Sequence, residues 1–186
     1  MRIIITGTTG SGKTTLGARL AKVLQIKHLD LDDYHWLPNW RERPDEEFLS
    51  LLKEEMDRNK SWIIVGNYRV TKPLTWPQAT HFIWLNYPFR VVLYRSVKRA
   101  ITRIITREKI CNGNVESFRQ TFFSRESVLW WMFKTFKLRK EKTPIEIAQL
   151  APNAQVIELT APKDANSVEN QLKPQDGHIP NTGHSV

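Results

Sequence analysis

The sequence predicts an α/β protein: a five-stranded parallel sheet with helices on both faces and a helical lid. Three observations carry this. Short apolar runs alternate with stretches of helical periodicity. A glycine-rich turn joins the first apolar run to the first helical stretch, and acidic residues gather where the second run ends. Strands alternating with helices form right-handed crossover units, and these build a parallel sheet whose ligand crevice lies beyond the carboxyl ends of the strands.

In chain order, Arg2 to Thr6 reads as a short buried strand and Lys13 to Leu24 as a helix. His28 to Leu31 reads as a second strand, ending among Asp30, Asp32 and Asp33. Pro44-Asp45-Glu46-Glu47 starts a helix with Phe48, Leu51, Leu52 and Met56 on one face. Trp62 to Val65 is a third strand closed by Gly66-Asn67, and His81 to Leu85 is a fourth. Tyr87-Pro88 hands over to a helical region from about Phe89 to Lys109, and Gln155 to Leu159 is a fifth strand. Residues 1–172 are expected to form one domain, with a lid at about 107–120. Residues 173–186 are rich in Gly and Pro with little to bury, and read as a disordered tail in which His178 and His184 are incidental.

The turn after the first strand is Gly7-Thr8-Thr9-Gly10-Ser11-Gly12-Lys13-Thr14. Glycines allow successive N–H groups to converge on one cavity, and the helix beginning near Lys13 adds its positive end. Phosphate is the natural guest. Lys13 reaches the terminal phosphates of a nucleotide, and the Thr14 hydroxyl takes one position on magnesium. Strand, spacing, Lys-Thr pair and helix coincide as a phosphate-binding loop requires, so a P-loop NTPase fold with ATP and Mg2+ is expected.

The chain carries a net charge of +9, and its basicity is local. Between Pro88 and Lys142 there are 14 Lys or Arg against 4 Asp or Glu, a balance of +10, which leaves −1 for the rest of the 186 residues. One basic segment in an otherwise neutral chain suggests a localised anionic target. Cys111 is the only cysteine, so no intramolecular disulfide forms, which fits a reducing cytoplasm, the expected location. The first strand begins directly after Met1 and leaves no room for a signal peptide, and no apolar run approaches the roughly 18 residues needed to span a bilayer.

Three further constellations bear chemistry. Alternation puts Asp30 and Asp32 on one side of the second strand, while its end lets Asp32 and Asp33 face the crevice. A carboxylate there holds magnesium or accepts the proton of an attacking hydroxyl, unless the segment is only a solvated turn with Asp33 capping a helix. Trp36 and Trp40, with Arg43 nearby, offer flat faces beside a guanidinium, suited to a planar acceptor or equally to a hydrophobic lid. Arg95, Arg99, Arg103 and Arg107 recur every four residues, opposite Val97, Ala100, Ile101 and Ile104. Their mutual repulsion, about 0.2–0.5 kcal/mol per adjacent pair, is offset if a triphosphate lies against them; the alternative is a solvated basic face. Lys109 to Asn114 then reads as a mobile turn suited to a lid. From Phe118 to Lys142, aromatics including Trp130 and Trp131 are interleaved with cations, a pattern of nucleic-acid or membrane surfaces and, more often, of a helix half in the core.

The phosphate loop, Leu31-Asp32-Asp33 with Trp36, the stretch Trp62 to Arg69 and the Trp84-Leu85-Asn86-Tyr87-Pro88 stretch with its spaced arginines resemble the small adenylate-kinase-like P-loop proteins, in particular the bacterial topology modulation (FlaR-related) group. The resemblance covers about residues 1–160. It implies that Gly7, Thr8, Thr9, Gly10, Ser11, Gly12, Lys13, Thr14 and Thr15 bind nucleotide phosphates, that Asp32 and Asp33 face the acceptor or magnesium, and that Arg95 to Arg107 lead into a lid. Nucleoside monophosphate kinases commonly have an acid before the glycine that ends the third strand; here Val65 stands there. The magnesium-positioning carboxylate is then Asp32 or Asp30, as in the shikimate-kinase-like branch, or is missing.

The expected activity is transfer of the γ-phosphoryl group of ATP to a small nucleotide-like or hydroxyl acceptor. The expected catalytic set is Lys13, Asp32, Asp33, Arg95, Arg99, Arg103 and Arg107, with Thr14 and Asp32 for the metal. Acceptor binding is expected from Asp33, Trp36, Trp40, Arg43, Asn67 and Arg69. A second reading is a nucleotide-dependent nucleic-acid binder or NTPase switch that uses the basic segment.

Overall fold

The computed structural model describes residues 1–115 and 128–172. The expected tail at 173–186 and the far part of the expected lid, 116–120, lie outside the described residues, as do Phe118 and the residues that follow it up to 127.

Strand β1 (Arg2–Gly7) buries Ile3, Ile4 and Ile5 almost completely, which only a central strand covered on both faces permits. It pairs in parallel with β5 (Trp62–Val65) on one side and β6 (His81–Leu85) on the other. Beyond them lie β2 (Lys27–Asp30) and β9 (Gln155–Leu159), giving the order β2-β5-β1-β6-β9. Side chains alternate across the sheet. Ile3, Ile5, Ile63, Val65 and Ile83 join Leu16 and Leu20 of α1 (Lys13–Leu24) on one face. Ile4, Ile64 and Phe82 join Phe48, Leu52 and Met56 of α3 (Asp45–Arg58) on the other. Three acids in the first turn of α3 complement its dipole, and its buried residues recur every four positions.

Several boundaries differ from the sequence expectation. Strand β2 ends at Asp30, and Leu31 opens a short helix, α2 (Leu31–His35), because Asp30 Oδ1 accepts the Asp32 N–H at 3.1 Å and caps it. A small antiparallel pair follows, β3 (Trp36–Leu37) with β4 (Arg41–Glu42). After β5 comes a single helical turn, α4 (Lys72–Thr75). Helix α5 (Phe89–Thr106) stops short of Lys109, since Arg107 turns left-handed (φ 49°) and its N–H returns to Arg103 O. What reads in sequence as a mobile turn is a second hairpin, β7 (Lys109–Ile110) with β8 (Asn114–Val115). The apolar side of α5 is also narrower than expected: Val92, Ser96 and Ala100 are buried, whereas Ile101 is 44% exposed, because only that edge presses on the sheet and the phosphate loop.

The chain then forms α6 (Val128–Leu150), closes the sheet with β9 and ends its described part in α7 (Val168–Leu172). Met132 is buried and Phe136 packs 5.0 Å from the Phe89 ring, so this helix has one side in the core, while Phe133 and Leu138 face outward. The buried Lys72 meets Glu146 at 2.7 Å, with its ammonium 4.7 Å from the Trp76 ring, and so ties α6 to α4. Among the described residues no helix is long and apolar enough to cross a membrane.

Helix α1 approaches the sheet most closely at Gly17. A methyl group there would lie 2.4 Å from Val65 Cγ2 and 2.8 Å from His28 Nε2. Helix propensity alone favours Gly17→Ala by about 1 kcal/mol, but overpacking costs about 1–3 kcal/mol. Gly17→Ala is therefore expected to lower the urea midpoint. A raised midpoint would show that α1 shifts freely on the sheet.

Candidate active site

The parallel register places the ends of β1, β2, β5 and β6 side by side, and the functional side chains leave from those ends. Between β1 and α1 the phosphate loop turns tightly, with Ser11 N–H donating to Thr8 O at 3.1 Å. Gly10 is left-handed (φ 73°), and a methyl group on it would fall 2.1 Å from Ser96 Oγ and 2.8 Å from Val92 O, so only glycine fits between loop and α5. The first N–H groups of α1 have no intrahelical acceptors, and no side chain at the Gly12 cap takes them, which suits an anion at this helix end. Lys13 Nζ donates to Thr8 O at 3.1 Å, folded back over the loop.

The arginine stripe divides. Arg95 Nη1 reaches Ser11 O at 3.4 Å and its guanidinium stands 5.7 Å from the Tyr87 ring; Arg99 Nη2 reaches Thr9 Oγ1 at 3.4 Å. Both lie on the loop. Arg103 instead pairs with Glu108 at 3.6 Å, and Arg107 is the exposed residue that ends α5.

The acids take distinct places. Asp30 Oδ2 accepts the Thr14 hydroxyl at 2.7 Å, so Asp30, rather than Asp32, stands behind Thr14. Asp30 lies opposite Val65 in the β2–β5 register, one strand away from the place where an acid is absent. Asp32, on the first turn of α2, accepts the Tyr68 hydroxyl on Oδ1 at 2.7 Å. Burial and then the Asp32 charge hold the Asp30 carboxyl above the usual carboxylate range, and the same two causes raise Asp33. Lys13 is pushed down to about 8, chiefly by burial, with Asp32 opposing and Arg99 reinforcing the shift. Arg139 of α6 also depresses Lys13, which puts a further cation at the loop.

The remaining expected acceptor residues are divided. Trp36 is half-buried, edge-on to His35 (4.7 Å) and to Trp40 (5.5 Å). Trp40 is bound to the second hairpin, its N–H donating to Asn114 Oδ1 at 2.9 Å and its indole to Val115 O at 3.2 Å. Asn112 Nδ2 donates to Asp33 O at 2.8 Å and Trp36 O at 2.6 Å, so the hairpin roofs the acidic turn. Arg43 is occupied elsewhere: its Nε donates to Tyr34 O at 2.7 Å and its Nη1 pairs with Glu47, because the β4 exit directs it toward α3. Arg69 is exposed. Asn67 follows Gly66 at the end of β5, and its buried Oδ1 has no hydrogen-bond partner among the described residues. With Thr8, Asn86, Arg139 and Lys140 it lines a pocket beside the loop.

Sequence reasoning passed over Tyr68 and Arg139. Both signals are long-range: Tyr68 meets an acid 36 positions earlier, and Arg139 comes from the last long helix. No local pattern announces either contact. Asp30 was visible as an acid, but its pairing with Thr14 depends on the turn that begins at Leu31.

A set of three or more His, Cys, Asp or Glu placed to hold a metal is absent among the described residues. The donor set fits magnesium that comes with nucleotide phosphates, which needs only one or two protein oxygens.

The family described as AAA domain matches residues 3–118. The uncharacterized protein YqaC of Bacillus subtilis (strain 168) is 42% identical over 65 residues, 34% of this chain and 36% of that protein. The thermosensitive gluconokinase of Escherichia coli (strain K12) is 30% identical over 119 residues, 52% of this chain and 61% of that protein. The chain thus spans between 36% and 61% of the length of these curated relatives. The structure of shikimate kinase from Acinetobacter baumannii in complex with shikimate superposes with a TM-score of 0.55 at 17% identity, over 92% of this chain and 95% of that one, a likeness of fold. The family match and the fold likeness bear out the coarser part of the resemblance, an AAA-family domain with a fold like that of a small P-loop kinase; they do not carry the topology modulation group.

The Lys13 shift has a measurable consequence. Its amine is charged up to about pH 8 in the folded chain and up to its ordinary 10.5 in the unfolded one, so between these values the unfolded state binds more protons. The cost of burying the charge is therefore present in full below pH 8 and is relieved as pH rises toward 10.5. Lys13→Met is expected to be more stable than the parent at pH 7, with the difference shrinking over that window. Parallel urea curves at pH 7, 8.5 and 10 check it.

Proposed function

The chain belongs to the AAA-domain family, and we propose that it is a small-molecule kinase that transfers the γ-phosphoryl group of ATP to a hydroxyl group of a small acceptor. The observation that carries this reading is the Thr14–Asp30 contact at the mouth of the phosphate loop, with Asp32 one helical step further on. A loop that only held a nucleotide would need the amides and Lys13. A second carboxylate facing the same cavity suits a reaction in which a hydroxyl must be oriented and deprotonated.

The roles follow from position. Lys13 and the loop amides hold the β- and γ-phosphates. Thr14 is the protein oxygen for Mg2+, and Asp30 fixes its hydroxyl. When bound, Mg2+ neutralises phosphate charge. Arg95 and Arg99, seated on the loop, offset the charge that develops on the transferred group. Asp32 accepts the acceptor's proton as the new O–P bond forms and the bond from the γ-phosphorus to the ADP oxygen breaks, and later returns that proton to solvent. Asn67, with its orphaned oxygen, takes a hydroxyl or amino donor of the acceptor.

The relatives support a small acceptor: one is named a gluconokinase, and one structure holds shikimate. The nucleic-acid reading gains nothing from them. Two cations of the basic segment, Arg95 and Arg99, turn inward onto the loop.

Incubation with γ-labelled ATP and a pooled panel of sugars, sugar acids, hydroxy acids and nucleotides tests the proposal. Label is expected in one acceptor class. Lys13→Ala should abolish ATP affinity, and Asp32→Asn should lower turnover by about 10²–10⁴-fold with ATP affinity kept within a few-fold. Hydrolysis without transfer to any compound would sink the kinase reading in favour of a nucleotide switch.

A further inference from the structure

Tyr68 is, among the described residues, the one aromatic whose polar end meets a proposed reacting carboxylate. The chain reaches that place by a constrained route. Strand β5 ends at Gly66, whose backbone (φ 138°) passes so close to α2 that a methyl group on it would lie 2.8 Å from Leu31 Cβ. Tyr68 then emerges beside α2, with its ring 4.4 Å from the His35 ring and 5.5 Å from Phe48. Packed on two sides, the ring has little freedom, and its hydroxyl donates to Asp32 Oδ1 at 2.7 Å. Burial, and next the Asp32 charge, hold the phenol far above its ordinary pKa, so it stays a donor over the whole working range.

Asp32 otherwise stands exposed on a five-residue helix, where a carboxylate samples several rotamers. From the bond at Oδ1 and the packed ring, we infer that Tyr68 is a positioning residue which locks the Asp32 carboxylate so that Oδ2 faces the acceptor hydroxyl. This rests on the proposed kinase reading. Productive transfer needs the reacting oxygens held within a few tenths of an ångström, and a carboxylate free to rotate forfeits that alignment. The aromatic cluster of His35, Phe48 and Tyr68 then serves the reaction at a distance, since it sets the hydroxyl that sets the acid.

Tyr68→Phe keeps the ring and removes only the hydroxyl. Its crystal structure is expected to show the Asp32 carboxylate rotated or spread over several rotamers while His35 and Phe48 stay in place. In the transfer assay kcat should fall about 10- to 100-fold, the loss expected for a hydrogen bond to a charged group, with the acceptor KM and the ATP dissociation constant within about twofold. A purely structural tyrosine would move the melting temperature or both binding constants instead. An Asp32 carboxylate unchanged in the Tyr68→Phe crystal, or an unchanged kcat, overturns the inference. Two further outcomes separate the levels: full transfer activity in Asp32→Asn removes Asp32 as the base and overturns the inference with it, whereas absence of transfer by the parent chain defeats the kinase reading itself, and the Tyr68→Phe crystal structure still decides whether Tyr68 orients the acid.

Discussion

The parallel register of β2, β5, β1 and β6 is the constraint from which the site follows. Asp30, Val65, Ile5 and Ile83 stand in line across the sheet, and β1 and β6 run on past that level to the Gly7–Leu85 pair, where the phosphate loop begins. A slip of one residue in β2 would turn Asp30 toward the other face of the sheet and take the carboxylate away from Thr14. Burial enforces the register. Ile3, Ile4 and Ile5 are each sealed between helices, and any slip exchanges the residues that fill the two cores. The geometry of the candidate site is thus a by-product of packing, which is stiffer than a loop could be.

The loop itself is held from both sides. Gly10 is clamped against Val92 and Ser96 of α5, and the same helix sets Arg95 and Arg99, each just under one turn beyond one of those contacts, over Ser11 and Thr9. One contact therefore fixes both the cavity of amides and two of the cations above it. Within that cavity the charges are set by desolvation. Lys13 is depressed and Asp30 raised by desolvation, so an incoming anion relieves the strain on the lysine and an incoming cation that on the acid.

The sheet strands were legible because each is a short apolar run bounded by a turn signal, and burial on both faces leaves no competing period. The phosphate loop was legible because its chemistry is written in adjacent residues. Two kinds of feature were not. One is the local override, as at Leu31, where the Asp30 cap starts a helix that strand alternation does not foresee, and at Arg107, which ends α5 early. The other is the long-range partner. Arg43 reads in sequence as available for an acceptor, but Tyr34 and Glu47 take its guanidinium, and nothing local to Tyr68 announces Asp32 as its partner.

Val65 shows why the acid sits where it does. Its side chain is buried against α1, and Gly17 comes so near that even a methyl group on that glycine would overlap it. A carboxylate in that space would sit in the apolar cluster of Leu16, Leu20 and Ile63, with the His28 imidazole as its nearest polar neighbour, and a buried charge that is not fully paired costs several kcal/mol. One strand over, Asp30 has the Thr14 hydroxyl and the Asp32 amide as donors. Close packing of α1 at Gly17 and placement of the acid on β2 are therefore one solution rather than two. A chain that moved the acid back to position 65 would have to supply it with such donors inside the α1–β5 contact.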